Sequence, residues 1–85
     1  MTLTEPTSAG TAQVTTLDAK GLKCPMPIVK TAQAIKTIAA GELLEVLTTD
    51  PGAVADFAAW SRSTGNSLVD QTIADGVYRF VLRRK

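Results

Sequence analysis

Gly21-Leu22-Lys23-Cys24-Pro25-Met26-Pro27 is the stretch on which the fold turns. Two prolines this close together fit a helix only in its first turn, where backbone N–H groups have no helical partner. Pro25 to Ala40 therefore reads as a helix. Ile28, Ala32, Ile35 and Ala39 recur on one face with Ile38 beside them, while Lys30, Gln33, Lys36 and Thr37 face away. Gly41 follows as the stop. Upstream, Asp18 to Lys23 is a loop containing Gly21, and Val14 to Leu17 is a short β-branched strand. Downstream, Glu42 to Thr49 alternates as a strand, with Leu44 and Val46 on one face and Leu43, Glu45 and Leu47 on the other.

Asp50-Pro51 opens a second helix, with the Asp50 carboxylate as cap and Pro51 at the first helical position. Val54, Phe57, Ala58 and Ser61 share its inner face, Trp60 borders that face, and Gly65 ends it. Leu68 to Ala74 and Val77 to Arg83 are two more strands, joined by the two-residue hairpin signal Asp75-Gly76. In the last strand Tyr78, Phe80 and Leu82 oppose Val77, Arg79, Val81 and Arg83. The order β-α-β-α-β-β implies a parallel first pair and an antiparallel hairpin. The expected fold is an α/β (α+β) two-layer sandwich, a four-stranded mixed sheet with two helices on one face.

The chain has 85 residues, enough for one small domain with a modest core. Residues 1–13 are Thr, Ser, Ala, Gly and Pro with few large apolar groups and read as a flexible tail, leaving 14–85 as the domain. One cysteine and no histidine exclude an internal disulfide, a Cys/His zinc site within the chain, and Cys-His or Ser-His catalytic pairs. Nothing calls for a metal or cofactor. Nine basic and eight acidic side chains give no basic footprint for nucleic acid, and Arg83-Arg84-Lys85 reads as a solvated end. No apolar run reaches the length of a membrane span, and the start lacks the features of a signal peptide, so a cytoplasmic protein is expected.

With Cys24 as N-cap, Pro25 and Pro27 lack N–H groups, and those of Met26 and Ile28 are left to face the sulfur. The helix dipole and Lys23, with Lys20 near it, would favour negative charge there. This is the pattern of an exposed thiolate nucleophile. The competing reading is a small buried hydrophobe. There is no second cysteine to resolve an oxidised sulfur and no histidine to serve as base. A lone activated thiol is suited to accepting a group from one protein and handing it to another. Sulfane sulfur held as a persulfide fits, since attack by a thiolate would need neither acid nor base.

Leu17-Asp18-Ala19-Lys20-Gly21-Leu22-Lys23-Cys24-Pro25-Met26-Pro27 resembles the signature of the TusA/SirA-like sulfur carrier (sulfurtransferase) family, with its central CPxP motif. The resemblance continues through Gly41-Glu42, Thr49-Asp50-Pro51-Gly52-Ala53, Trp60 and Gly65-Asn66 and spans Val14 to Lys85. It implies a two-layer sandwich and a persulfide on Cys24, received from a cysteine desulfurase or rhodanese-like donor and delivered to an acceptor protein. Such a relay carrier has little turnover alone. Pro25 and Pro27 would shape the thiol loop, Lys23 matches a usually basic position, Asp18 and Gly21 would hold the loop, and Asp50 would cap the second helix. Met26 stands where one branch of the family carries Glu, and Trp60-Ser61 stands where some members have a further cysteine.

Two other functions remain open at this level. One is a regulatory or protein-binding module of the same fold with a structural Cys24. The other is a selenium-handling or redox-sensing variant. Trp60 reads as a half-buried edge of the core and not a partner anchor, and Arg79 and Arg83 as a solvated strand face.

Overall fold

The computed structural model describes residues 14–85, so the tail assigned to residues 1–13 lies outside the described residues. The elements run β1 (Val14–Asp18), α1 (Met26–Ala34), β2 (Leu43–Thr48), α2 (Ala53–Thr64), β3 (Ser67–Ala74) and β4 (Val77–Arg83). The four strands form one sheet in the order β1-β2-β4-β3. β1 is parallel to β2, and both β2 and β3 are antiparallel to β4. The expected chain order β-α-β-α-β-β and the mixed sheet are both present; the place of β4 between β2 and β3 comes from the structure.

Strand alternation sets the two faces. The register puts Leu44 opposite Leu82 and Val46 opposite Phe80, and all four are fully buried. They form the floor of the core, on which Ile35, Ile38, Ala53 and Phe57 settle from the helical layer. Phe57 stacks on Phe80 with ring centroids 4.4 Å apart. Trp60 packs against this cluster as an edge residue. On α2 the buried positions are Ala53 and Phe57, whereas Val54 is exposed, one position off the expected face.

α1 is shorter than its apolar spacing predicts. It stops at Ala34, continues as a 3-10 turn over Ile35–Thr37, and gives way to extended backbone at Ile38. Three of the four residues from Ile35 to Ile38 are β-branched, which crowds a helix. One distant group and one nearby group capture the freed polar atoms. The Arg84 guanidinium donates to the Ile38 carbonyl, and the Ala39 N–H donates to Glu42 Oε1 at 2.8 Å. Ile38 is buried in this conformation while Ala39 is exposed. Gly41, with φ +86°, therefore serves the turn into β2 and not the end of the helix; its N–H donates to the Arg84 carbonyl at 2.8 Å.

The other punctuation falls where expected. Gly65 closes α2 in the left-handed region, its N–H donating to the Ser61 carbonyl at 2.9 Å. Asp75 (φ 52°) and Gly76 (φ 75°) both have positive φ, the requirement of a type I′ hairpin turn.

The sheet face away from the helices carries a polar ladder across all four strands. Thr16 Oγ1 donates to Glu45 Oε1 at 2.8 Å, Arg79 pairs with the other oxygen of Glu45, and Arg79 also reaches Asp70 at 3.1 Å. The Arg79 guanidinium, assisted by Thr16, holds the Glu45 carboxyl below its ordinary range. Arg79 is thus a bridging residue; Arg83 alone fits the expected solvated face.

Candidate functional site

The site forms where two loops leave the carboxyl ends of the adjacent parallel strands β1 and β2. Each loop feeds a helix, so both helix N-termini come to the same edge of the sheet. This is the edge at which open α/β sheets place their ligands.

The first loop is tied down residue by residue. Asp18 Oδ1 accepts the Lys20 N–H at 3.0 Å, and the buried Ala19 donates its N–H to the Leu47 carbonyl at 2.7 Å. Gly21 sits at φ +82° and donates its N–H to Thr49 Oγ1 of the second loop at 3.0 Å. An added Cβ there would meet nothing within 4 Å, so what position 21 requires is the backbone angle and not space. Pro27 is buried and Met26 is exposed.

Cys24 lies one residue ahead of the expected position. Pro25 occupies the N-cap, with Met26 and Pro27 opening the helix. The Met26 N–H donates back to the Lys23 carbonyl at 2.8 Å, closing a turn, so it does not face the sulfur. The Cys24–Pro25 peptide bond is cis. The thiol itself is exposed, which removes the buried-hydrophobe reading.

Two carboxylates from the second loop and α2 hold this cysteine. Asp50 Oδ2 accepts the Cys24 N–H at 2.7 Å, and the Cys24 thiol donates to Asp56 Oδ2 at 2.8 Å. Asp50 is thus not the helix cap. The N-cap is Gly52, whose N–H donates to Asp50 Oδ1 at 3.0 Å. The Asp50 carboxylate spans the two loops, one oxygen on each, and Pro51 lies in the turn before the helix. A cleft of about 500 Å³ opens beside the sulfur, lined by Gly21, Leu22, Lys23, Thr49, Asp50 and Pro51.

The electrostatics reverse the sequence expectation. The Cys24 thiol is pushed above the ordinary cysteine value, first by its hydrogen bond to Asp56, then by desolvation, then by the negative charges of Asp56 and Asp50. Lys23 lines the cleft, but among the described residues its side chain makes no ion pair. The carboxylates therefore favour the thiol form of the resting sulfur over the thiolate.

The role of Asp56 is not legible in the sequence. An acid in the first turn of a helix reads as a complement to the dipole, and nothing local links it to a cysteine 32 residues earlier. The available signal was topological: adjacent parallel strands followed by helices bring the two helix starts together.

The family model of Sulfurtransferase TusA matches residues 15–84. The chain belongs to the TusA family. A putative sulfur carrier protein of Halobacterium salinarum is 51% identical over 70 residues, covering 81% of this chain and 86% of the relative. Sulfur carrier protein TusA of Allochromatium vinosum is 38% identical over 68 residues, covering 80% and 90%. A SirA-like protein of Desulfitobacterium hafniense superposes with a TM-score of 0.72 at 22% identity, over 84% of this chain and 96% of that one, and shows the same fold. Among the described residues of this TusA-family chain, no helix is long and apolar enough to cross a membrane, and no cluster of side chains is arranged to hold a metal ion.

Proposed function

We propose that the chain is a sulfur carrier that accepts sulfane sulfur as a persulfide on Cys24 and passes it to an acceptor protein. The observation that carries this reading is the exposed Cys24 thiol, anchored through its N–H by Asp50 and through its sulfur by Asp56, beside an open cleft. Names borne by the relatives support it.

In this reading Asp18, Gly21, Pro25 and Pro27 hold the loop so that the sulfur stands outward. Lys23 and Met26 flank the thiol as exposed groups that meet the partner. Asp50 fixes the cysteine backbone against the second loop. The donor is a protein that presents a cysteine persulfide, of the desulfurase or rhodanese-like kind, and the acceptor presents a thiol. No resident cofactor is needed, because the group in transit is the sulfur itself. A lone accessible thiol suits a reducing compartment such as the cytoplasm.

Intact-mass spectrometry after exposure to polysulfide, or to thiosulfate with a rhodanese, tests the reading. The wild type should gain one sulfur atom that reductant removes, and Cys24→Ser should gain none. A wild type that gains no sulfur from any donor, or a variant that gains as much, would end it.

A further inference from the structure

A carrier thiol needs a proton acceptor when it attacks and a proton donor for the sulfur that leaves. The chain has no histidine for either task. Among the described residues, Asp56 is the group that hydrogen-bonds the Cys24 sulfur, at 2.8 Å. Asp50, the other nearby carboxylate, is already engaged by the N–H groups of Cys24 and Gly52. Asp56 is set on α2, a different element from the thiol loop, so its position does not depend on the loop's own conformation. The geometry is that of a base within reach of the proton it removes.

We propose that Asp56 is a catalytic residue of sulfur transfer, taking the proton from Cys24 Sγ as that sulfur attacks and returning it to the sulfur that leaves. The proposal rests on the carrier reading of Cys24. The incoming donor is a persulfide anion, R–S–S⁻. The Cys24 sulfur forms a bond to the donor's outer sulfur, and the donor's S–S bond breaks with its electron pair staying on R–S. The proton from Cys24 passes through the Asp56 carboxylate to that R–S⁻ group. The products are a Cys24 persulfide anion and R–SH, and Asp56 is again a carboxylate. No external oxidant or reductant enters, because one S–S bond replaces another. In the discharge step the acceptor thiol's proton travels the opposite way, through Asp56 to Cys24 Sγ.

The raised thiol pKa agrees with this assignment, since a sulfur that holds its proton brings with it the proton that the leaving sulfur takes up. Two leaving groups separate the relay from a simpler role in which Asp56 only restrains the thiol. Alkylation by iodoacetamide expels iodide, which takes no proton, whereas transfer from a persulfide expels a thiolate, which does.

The test compares wild type, Asp56→Asn, Asp56→Glu and Cys24→Ser in two reactions near neutral pH, with circular dichroism confirming the fold. One is alkylation by iodoacetamide. The other is sulfur loading from glutathione persulfide, a donor too small to require a docking surface, followed by intact mass. Asp56→Asn is expected to alkylate faster than wild type, because the interaction that retains the proton is gone, yet to load sulfur about tenfold or more slowly. Asp56→Glu should recover part of the loading rate. If Asp56→Asn loads faster in step with its alkylation, or at an unchanged rate, Asp56 is not a relay and the proposal falls alone. If the wild type takes no sulfur from the persulfide while Cys24 alkylates normally, the carrier reading falls and the relay with it.

Discussion

At the residue scale, Cys24 is governed by the carboxylates around it. A hydrogen bond to Asp56 and two nearby negative charges all favour the protonated sulfur, so the thiolate is populated on the alkaline side of an ordinary cysteine. The rate of iodoacetamide alkylation in the wild type, followed against pH, should therefore rise with a midpoint above that of free cysteine. A midpoint at or below neutrality would show that the helix dipole and Lys23 prevail. The linkage has a definite sign. A thiol whose folded pKa is raised contributes stability at low pH that is lost as pH climbs through its titration. The cysteine itself was legible in the sequence, because prolines 25 and 27 mark a helix start by their own stereochemistry. The sense of its pKa shift was not. Helix dipole and lysine are near neighbours in sequence, whereas Asp56 and Asp50 reach the cysteine only through the fold.

At the element scale, what was legible depended on how local the cause was. The β3–β4 turn is written in two residues, since Asp75 and Gly76 both take positive φ and few other pairs do so readily. Gly76→Ala should cost about 1–2 kcal/mol, read from the urea unfolding midpoint. An added Cβ at Gly76 meets nothing within 4 Å, so the loss measures backbone strain alone. No measurable loss would mean that the turn relaxes to another type. The end of α1 is not legible, for the opposite reason. Its apolar spacing runs on past Ala34, but the carbonyl of Ile38 is claimed by Arg84, 46 residues away. The start of α2 shifted likewise, because Asp50 divides its carboxylate between Gly52 and Cys24 and does not cap the helix.

At the scale of the molecule, one helical layer rests on one face of the sheet, and the aromatic stack of Phe57 on Phe80 joins the two layers. Both rings are fully buried. Phe57→Ala should destabilise the fold by about 3–5 kcal/mol. A domain of this size has about 5 kcal/mol or somewhat more in total, so the variant should show a much lower urea midpoint and partial unfolding without denaturant. A loss under about 1 kcal/mol would place the joint elsewhere in the core. The parallel first pair and the closing hairpin were legible from the order of the elements, but the placing of β4 between β2 and β3 was not, since alternation marks the faces of a strand and not its neighbours. The Thr16–Glu45–Arg79–Asp70 ladder was not legible either, since each of its rungs joins residues on different strands whose register the sequence does not state.

The order of the strands has a consequence in time. β4 lies inside the sheet, between β2 and β3, yet it follows all the other strands in the chain. A ribosome makes both site loops, both helices and three of the strands before it makes the strand that joins β2 to β3. Until then Phe57 has no Phe80 to stack on, and β3 has no strand beside it. The core that seats α2, and with it Asp56 opposite the thiol, is complete only when β4 fills the gap between β2 and β3.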